Sequence, residues 1–304
     1  MKARSRPPRP EWLRIRLRTD EEFRRVRSMV RELRLHTVCT EARCPNIYEC
    51  WNAGTATFLI LGDICTRACA FCGVRSGRPE PGTSPTEPAG VAEAVARLGL
   101  RHAVVTSVSR DDLPDGGAGH FRDVVRAIRE RTPGCAVEVL TPDFRGKPGA
   151  LGTVLRAGPQ VFGHNVETVP RLYRTARKGS SYEVSLRLLA EAAERRDAEM
   201  PSLRVKSSLM LGLGEADPEV VAVLQELRRA GVDVVTLGQY LQPTRRHLPV
   251  DRLVTPEQFD AIRRIAEGMG FLHVEAGPLV RSSYHAERHR PAAAEFPDGA
   301  APRP

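Results

Sequence analysis

The sequence predicts an α/β fold, a partial (β/α)6 TIM-type barrel with N- and C-terminal extensions, on three observations. From residue 55 onward, short β-branched runs alternate with amphipathic helical patterns. The alternation repeats six times, which requires a parallel sheet with helices outside it. Polar residues gather at the C-terminal ends of the runs, the face that carries chemistry in barrels.

The strand runs are TATFLIL (55–61), HAVVTS (102–107), AVEVL (136–140), QVFGHN (160–165), RVKSSLML from Arg204, and VDVVTL (232–237). Between them, TEPAGVAEAVARLG, SYEVSLRLLAEAAERR and DPEVVAVLQELRRAG carry apolar residues at helical spacing. Thr86 and Asp217, each with a proline close behind, mark helix starts, and Gly99 and Gly231 mark stops. A doubly wound sheet would share this alternation, but no G-x-G-x-x-G follows the first run. The polar strand ends are Asp63, Thr106 and Ser107, Asn165 and Glu167, and Gln239. Residues 1–54 lack the alternation and form an N-terminal extension ahead of a barrel at 55–270. Residues 271–288 add one more candidate strand, FLHVEA, and the Pro- and Ala-rich residues 289–304 read as a disordered tail.

The formal charge of +9 is unevenly spread. Residues 1–34 hold twelve Arg or Lys against five Asp or Glu, a net of +7. This is a solvated arm or one that meets an acidic partner. Aromatics are only 5% and are not interleaved with the basic residues, which argues against a nucleic-acid module. No run reaches the roughly 18 apolar residues of a membrane span. With no apolar leader, the expected location is cytoplasmic.

Six of seven cysteines fall within residues 39–72, a clustering that fits metal binding better than a disulfide framework. Cys135 opens an apolar run and reads as a strand residue. CTRACAFC places Cys65, Cys69 and Cys72 directly after the first strand, at the barrel mouth. Three thiolates on a tight loop leave one iron of a cubane cluster open to an exogenous chelating group. Structural zinc, which wants four closed ligands, competes if the fourth comes from elsewhere. CTEARCPNIYEC supplies a second triplet, Cys39, Cys44 and Cys50, whose spacing matches no zinc finger and suggests a second cluster at the same face.

CTRACAFC after a strand, with Phe71 before its last cysteine, resembles the cluster loop of the radical S-adenosylmethionine superfamily. HTVCTEARCPNIYECWNAGTATFLILGDICTRACAFC, TSVSRDDLPDGGAGHF, HNVETVPRLY, LMLGLGE, GQYLQPTRRHLPVDRLVTPEQF and AGPLVRSSYHAE resemble the lipoyl synthase family in particular, over roughly residues 10–288. Biotin synthases and methylthiotransferases are the alternatives within the superfamily, but biotin synthases lack the C-x4-C-x5-C block. Family members commonly have Gly where Ser208 stands.

The resemblance implies a sulfurtransferase holding two 4Fe–4S clusters and binding S-adenosyl-L-methionine. It implies that Cys65, Cys69 and Cys72 hold the radical-generating cluster. Cys39, Cys44 and Cys50, with Ser283 rather than Ser282 of RSSY, would hold an auxiliary cluster that donates sulfur. Thr106, Ser107, Asn165 and Glu167 are the expected S-adenosylmethionine contacts, with Arg110 and Asp111 near its methionine end. Arg177 and Lys178 would meet a carboxylate or the carrier surface, and Gln239 and Tyr240 are expected in the pocket.

The implied substrate is the octanoyl-lysine of a carrier, either a lipoyl domain of a 2-oxoacid dehydrogenase acyltransferase or the glycine-cleavage H protein. An electron donor such as ferredoxin or flavodoxin and an iron–sulfur carrier that rebuilds the auxiliary cluster are further expected partners. Neither nucleic acid nor membrane is expected, and the chain is expected to be a monomer.

Overall fold

The computed structural model describes residues 10–289. Its main sheet has eight strands, ordered as in the chain: β1 (His36–Thr37), β2 (Thr57–Ile60), β3 (His102–Ser107), β4 (Ala136–Leu140), β5 (Val161–Gly163), β6 (Arg204–Leu211), β7 (Val234–Gln239) and β8 (His273–Gly277). β2 to β8 pair in parallel, β1 joins β2 antiparallel, and β8 does not pair back onto β1. The six predicted strand–helix units are all present and the barrel stays open. FLHVEA becomes β8, a seventh parallel strand, so the C-terminal segment begins inside the sheet.

β2 and β7 are buried along their whole length, as a parallel strand must be when helices cover one side and the barrel interior the other. The crossover helices are α4 (Glu87–Leu98), α5 (Ala118–Arg131), α6 (Ala150–Leu155), α8 (Tyr182–Glu199), α9 (Asp217–Arg229) and α10 (Pro256–Gly268), with the short α7 (Tyr173–Ala176) before α8. α4 buries Val91, Ala94 and Val95 of the apolar positions 91, 94, 95 and 98 read from the sequence, with Ala92 in addition and Leu98 only half-buried. Gly99 closes it at φ +60, a conformation costly to residues with a Cβ. Strand bounds are narrower than the runs for TATFLIL and QVFGHN, and VDVVTL slides forward to Val234–Gln239. Asp217 is the first helical residue of α9, not its cap. The backbone N–H of Ala216 is instead held by the side chain of Glu219.

The N-terminal extension forms α1 (Glu21–Glu32), α2 (Val38–Glu41) and α3 (Ile47–Asn52). Phe23 of α1 packs against Tyr48 and Trp51 of α3 at 5.6 and 5.1 Å between ring centroids, which fixes the helix that carries Cys50. Arg14, Arg16 and Arg18 of the basic arm are exposed, and residues 1–9 lie outside the described residues.

The barrel floor is polar. Lys206 of β6 donates to Glu138 of β4 at 2.6 Å and to Nδ1 of His289 at 2.9 Å, and His102 of β3 lies 3.3 Å from the same carboxylate. Burial pushes the Glu138 carboxyl up, but Lys206 and His102 outweigh it and keep the group ionised. His289 is buried, and burial and Lys206 hold it far below the usual histidine range, so it is neutral. This corrects the expectation that residue 289 opens a disordered tail. The rest of that stretch, 290–304, lies outside the described residues. His273, Glu275 and His289 come within 4.8 Å of one another, but the Lys206 ammonium against the His289 ring makes this a poor seat for a cation.

Candidate iron–sulfur site

The loop of the second triplet is tied down at almost every residue. It leaves β2 through Leu61 and Gly62, both at positive φ, and Ile64–Cys65 forms a two-residue pair with Arg75–Ser76. Cys65 Sγ accepts from the backbone N–H of Arg67 and of Ser109, each at 3.4 Å. Thr66 Oγ1 donates to Ser109 O and accepts from Asp111 N. The N–H of Ala70 reaches Ala176 O in α7, the carbonyl of Ala70 accepts from Leu248, and Nε2 of His247 donates to Cys72 O at 2.8 Å.

Arg67 anchors the loop from beneath. It meets Asp111 through Nε and Nη2 at 2.9 and 2.8 Å, Asp143 through Nη1 and Nη2 at 2.9 and 2.5 Å, and Ser180 through Nη1 at 2.9 Å. All of its donors are engaged, and both carboxylates are held in fork geometry.

The first triplet is built on α2 and α3. Thr37 caps α2, which carries Cys39; Cys44 N donates to Cys39 O at 3.1 Å, and Cys50 N to Asn46 O at 2.9 Å. The RSSY segment is brought here from the far end of the chain. Asn46 Nδ2 donates to Leu279 O at 2.7 Å, Tyr284 Oη to Glu49 at 2.9 Å, and Thr57 Oγ1 to Ser283 Oγ at 2.9 Å. Ser282 and Ser283 both line the cavity beside this triplet, and Ser283 is the one whose hydroxyl accepts from Thr57.

Val280 passes so close to β7 that a Cβ on Gly238 would lie 2.0 Å from its carbonyl oxygen. Gly238→Ala is therefore expected to displace Val280–Ser283 and lower auxiliary-cluster iron while sparing the loop after β2. An iron count falling from about eight toward about four per chain, with S-adenosylmethionine cleavage retained, is the measurement.

One cavity of about 830 Å3 is lined by Cys39, Cys44 and Cys50 of the first triplet, by Phe71 and Cys72 of the second loop and by Ser283, and reaches down the barrel to His102. Burial pushes the Cys39 and Cys69 thiols up to about 11 and Cys72 up to about 12, and also raises Cys44 and Cys50. Neighbouring thiols of the same triplet add to the rise at Cys39, Cys50, Cys69 and Cys72. Arg281 beside Cys44 and Arg177 near Cys69 offset this rise only in part, and a metal–sulfide core would supply further compensating charge. Three thiols on each side fit two clusters, each with one iron left for another ligand.

The expected S-adenosylmethionine contacts lie on this cavity, with differences. Ser107, Asn165 and Glu167 line it, and the Ser107 Oγ and Asn165 Oδ1 atoms are buried without a hydrogen-bond partner among the described residues. Two orphaned polar atoms fit a polar ligand. Glu167 holds the left-handed conformation at φ +67, its N–H and carbonyl bonded to Ser208 and Met210 of β6, and accepts from Asn165 Nδ2 at 3.2 Å. Burial raises its carboxyl. Thr106 also lines the cavity, but its hydroxyl donates to Leu140 O at 2.8 Å, leaving only acceptor capacity for a ligand.

Arg110 and Asp111 do not reach the cavity: Arg110 pairs with Asp112, and Asp111 holds Arg67. Gln239 is locked between Leu211, Tyr240, Arg252 and Val254 instead of facing the pocket, whereas Tyr240 lines it. Arg177 is buried among Tyr173, Ser185 and His164, close enough to Cys69 and Glu167 to bias both, while Lys178 is exposed. Ser208 lines the cavity with its hydroxyl turned to Thr236 O at 3.1 Å.

Sequence reasoning missed Thr57, Arg67, Asp143 and Arg281. Arg281 lines the cavity next to Cys44, with no carboxylate partner among the described residues. Two signals were available in advance: Arg67 lies between two cysteines of its triplet, and Arg281 opens the RSSY motif.

An open parallel barrel with a three-cysteine loop after its first parallel strand defines a radical S-adenosylmethionine enzyme, and the model of the radical SAM superfamily matches residues 59–227. Solved structures share the fold: HydG, a maturase of the [FeFe]-hydrogenase, at TM-score 0.52 and 14% identity over 76% of this chain and 60% of that one. Streptococcus suis SuiB bound to S-adenosylmethionine aligns at TM-score 0.50 and 10% identity over 81% and 52%. The model for the N-terminal domain of lipoyl synthase matches residues 1–44. Lipoyl synthase of Rubrobacter xylanophilus is 53% identical over 93% of this chain and 87% of its own, and that of Thermus thermophilus 55% identical over 92% and 85%. The chain belongs to the lipoyl synthase family. It is accordingly a sulfurtransferase of the iron–sulfur, S-adenosylmethionine-dependent kind. Among the described residues no helix is long and apolar enough to cross a membrane.

Proposed function

We propose that the chain inserts two sulfur atoms into the octanoyl chain of an octanoyl-lysyl carrier protein, the sulfur coming from an auxiliary 4Fe–4S cluster on Cys39, Cys44, Cys50 and Ser283. The cavity that brings Cys72 of the second triplet together with the whole first triplet and Ser283 carries this reading. An unactivated C–H bond gives acid–base catalysis nothing to work on. A 4Fe–4S cluster on Cys65, Cys69 and Cys72 supplies one-electron chemistry with S-adenosylmethionine.

The protein's own contribution is position and exclusion of water. Asn165, Glu167 and Ser107 offer polar atoms to S-adenosylmethionine on the β3–β5 side of the cavity. Val38, Leu59, Val104, Leu140 and Leu209 give the same cavity apolar walls suited to an aliphatic chain. Thr57 holds the Ser283 oxygen, an unusually hard ligand whose weaker hold on iron suits a cluster meant to be consumed. The exposed Arg14, Arg16 and Arg18 suit an acidic carrier domain. The carrier would be a lipoyl domain or an H protein, met in the cytoplasm by a monomer, with an iron–sulfur carrier renewing the auxiliary cluster.

An anaerobic single turnover with an octanoyl-lysyl peptide tests this. Both 5′-deoxyadenosine and sulfur-bearing peptide are expected, and absence of the two would sink the proposal.

A further inference from the structure

The loop of the second triplet has two faces. Part of it, Phe71 to Val74, borders the cavity that holds the first triplet. Its other side borders a second, open depression of about 770 Å3, lined by Ala68, Cys69, Ala70 and Cys72 together with the segments 73–76 and 244–247 and Arg43. Arg43, Cys72, Gly73 and Val74 form the wall it shares with the cavity. Cys69 lines this depression and not the inner cavity.

Four arginines from three separated segments converge on this rim. Arg43 comes from the first triplet, Arg75 from just past Cys72, and Arg245 and Arg246 from the loop after β7. All four are exposed, and no Asp or Glu lines the depression. Arg75 pairs with Asp63, while Arg43, Arg245 and Arg246 have no ion-pair partner among the described residues. Like charges gathered on one rim repel one another, and an anionic partner offsets that cost. The inner cavity shares Arg43 and also holds Arg281, but unlike the depression its lining includes acids, the exposed Glu49 and Glu287 among them.

We propose that this arginine-rimmed depression docks the one-electron donor, a small protein with an acidic surface around its redox group. The inference rests on the reading that Cys65, Cys69 and Cys72 hold a cluster that must be reduced. An electron needs the shortest path to those thiolates, and Cys69 and Cys72 reach the surface here. In the step the donor is oxidised by one electron and the cluster reduced by one; no bond forms or breaks between the proteins. A carrier domain has a different need, because it must thread an acyl chain into the inner cavity. His247 shows how the face is coupled to the site: its ring bonds both Thr244 and the carbonyl of Cys72, so the segment bearing Arg245 and Arg246 is held on the cluster loop.

The test is a charge reversal, Arg245→Glu with Arg246→Glu, in the protein carrying both clusters. Cleavage of S-adenosylmethionine is measured with reduced acidic ferredoxin and, separately, with dithionite. With ferredoxin, kcat/KM for the donor is expected to fall about tenfold or more at low salt, and its dependence on ionic strength to flatten. With dithionite the rate should stay within about twofold of the unaltered protein, which also shows that the variant is folded and loaded. An undiminished ferredoxin rate would overturn the proposal, because the donor then enters elsewhere. Equal loss with both reductants would overturn it too, by assigning the arginines to the site itself. A loss seen with dithionite only when an octanoylated carrier protein replaces the octanoyl-lysyl peptide would give the face to the carrier. Failure of the unaltered protein to form 5′-deoxyadenosine with dithionite would instead remove the functional reading on which the inference stands.

Discussion

In Cys69→Ala protein, neither 5′-deoxyadenosine nor sulfur-bearing product is expected, whereas Cys39→Ala should still cleave S-adenosylmethionine and insert no sulfur. The split follows from where the two thiols stand. Cys69 is one of three thiols on a loop with no spare ligand, and its loss leaves two thiolates for four irons. Activity should fall beyond the roughly 10–100-fold typical of losing a supporting contact. Cys39 belongs to another construction, α2 and α3 braced by Phe23 on Tyr48 and Trp51, and none of the backbone bonds that fix Cys65 to Cys72 pass through it. Cys39→Ala should retain about four of about eight irons per chain and a 5′-deoxyadenosine yield near that of the unaltered protein. Equal loss of cleavage in both variants would show that the triplets do not act as separate centres.

The sequence made the triplets legible because cysteine spacing is local. Three thiols within eight residues must come together whatever the rest of the chain does. The six strand–helix units were equally legible, since buried parallel strands and amphipathic crossover helices differ in period. What could not be read was any contact between distant segments. Thr57 and Ser283 are 226 residues apart, and nothing in TATFLIL marks its threonine as the donor to RSSY. Arg110 and Asp111 illustrate the same limit. They follow a strand and look like ligand contacts, but one pairs with Asp112 and the other is spent on Arg67. A polar residue at a strand end has two possible customers, the ligand and the loop that must be held still, and only geometry tells them apart. Gln239, bonded to three carbonyls and one backbone N–H, went to the second.

Arg67→Met is expected to lower both stability and S-adenosylmethionine cleavage, although its side chain is bonded to the two aspartates and Ser180 beneath the loop. The substitution leaves Asp111 and Asp143 facing one another without their shared cation. Breaking a buried ion pair from one side costs about 3–5 kcal/mol, a fall in Tm of up to roughly 10 °C. The pH dependence distinguishes this cause from general damage. In the intact protein, burial pushes the Asp143 carboxyl up, but hydrogen bonds and charge from Arg67 hold it down to about 2. That stabilisation is fully present above the ordinary carboxylate value of about 3.9 and is lost as pH falls through about 2, so near neutrality it is constant. Without Arg67 the largest favourable influences go. The Arg145 backbone N–H still holds one oxygen of Asp143, but burial and the facing Asp111 carboxylate then raise the folded-state value above the unfolded one. Such a group costs stability as pH rises, so Arg67→Met should become more stable on going from pH 7.5 to 5.5, and the unaltered protein should show no such gain from this group. Adding Asp143→Asn to Arg67→Met should recover part of the lost stability and flatten the pH dependence, since it removes the uncompensated charge. Arg67→Lys keeps one charge but cannot span two carboxylates in fork geometry, and should restore stability more than turnover. Denaturation midpoints at the two pH values, together with the KM for S-adenosylmethionine, decide the matter: a variant equally destabilised at both pH values would mean that Arg67 fills space instead of holding the loop by charge.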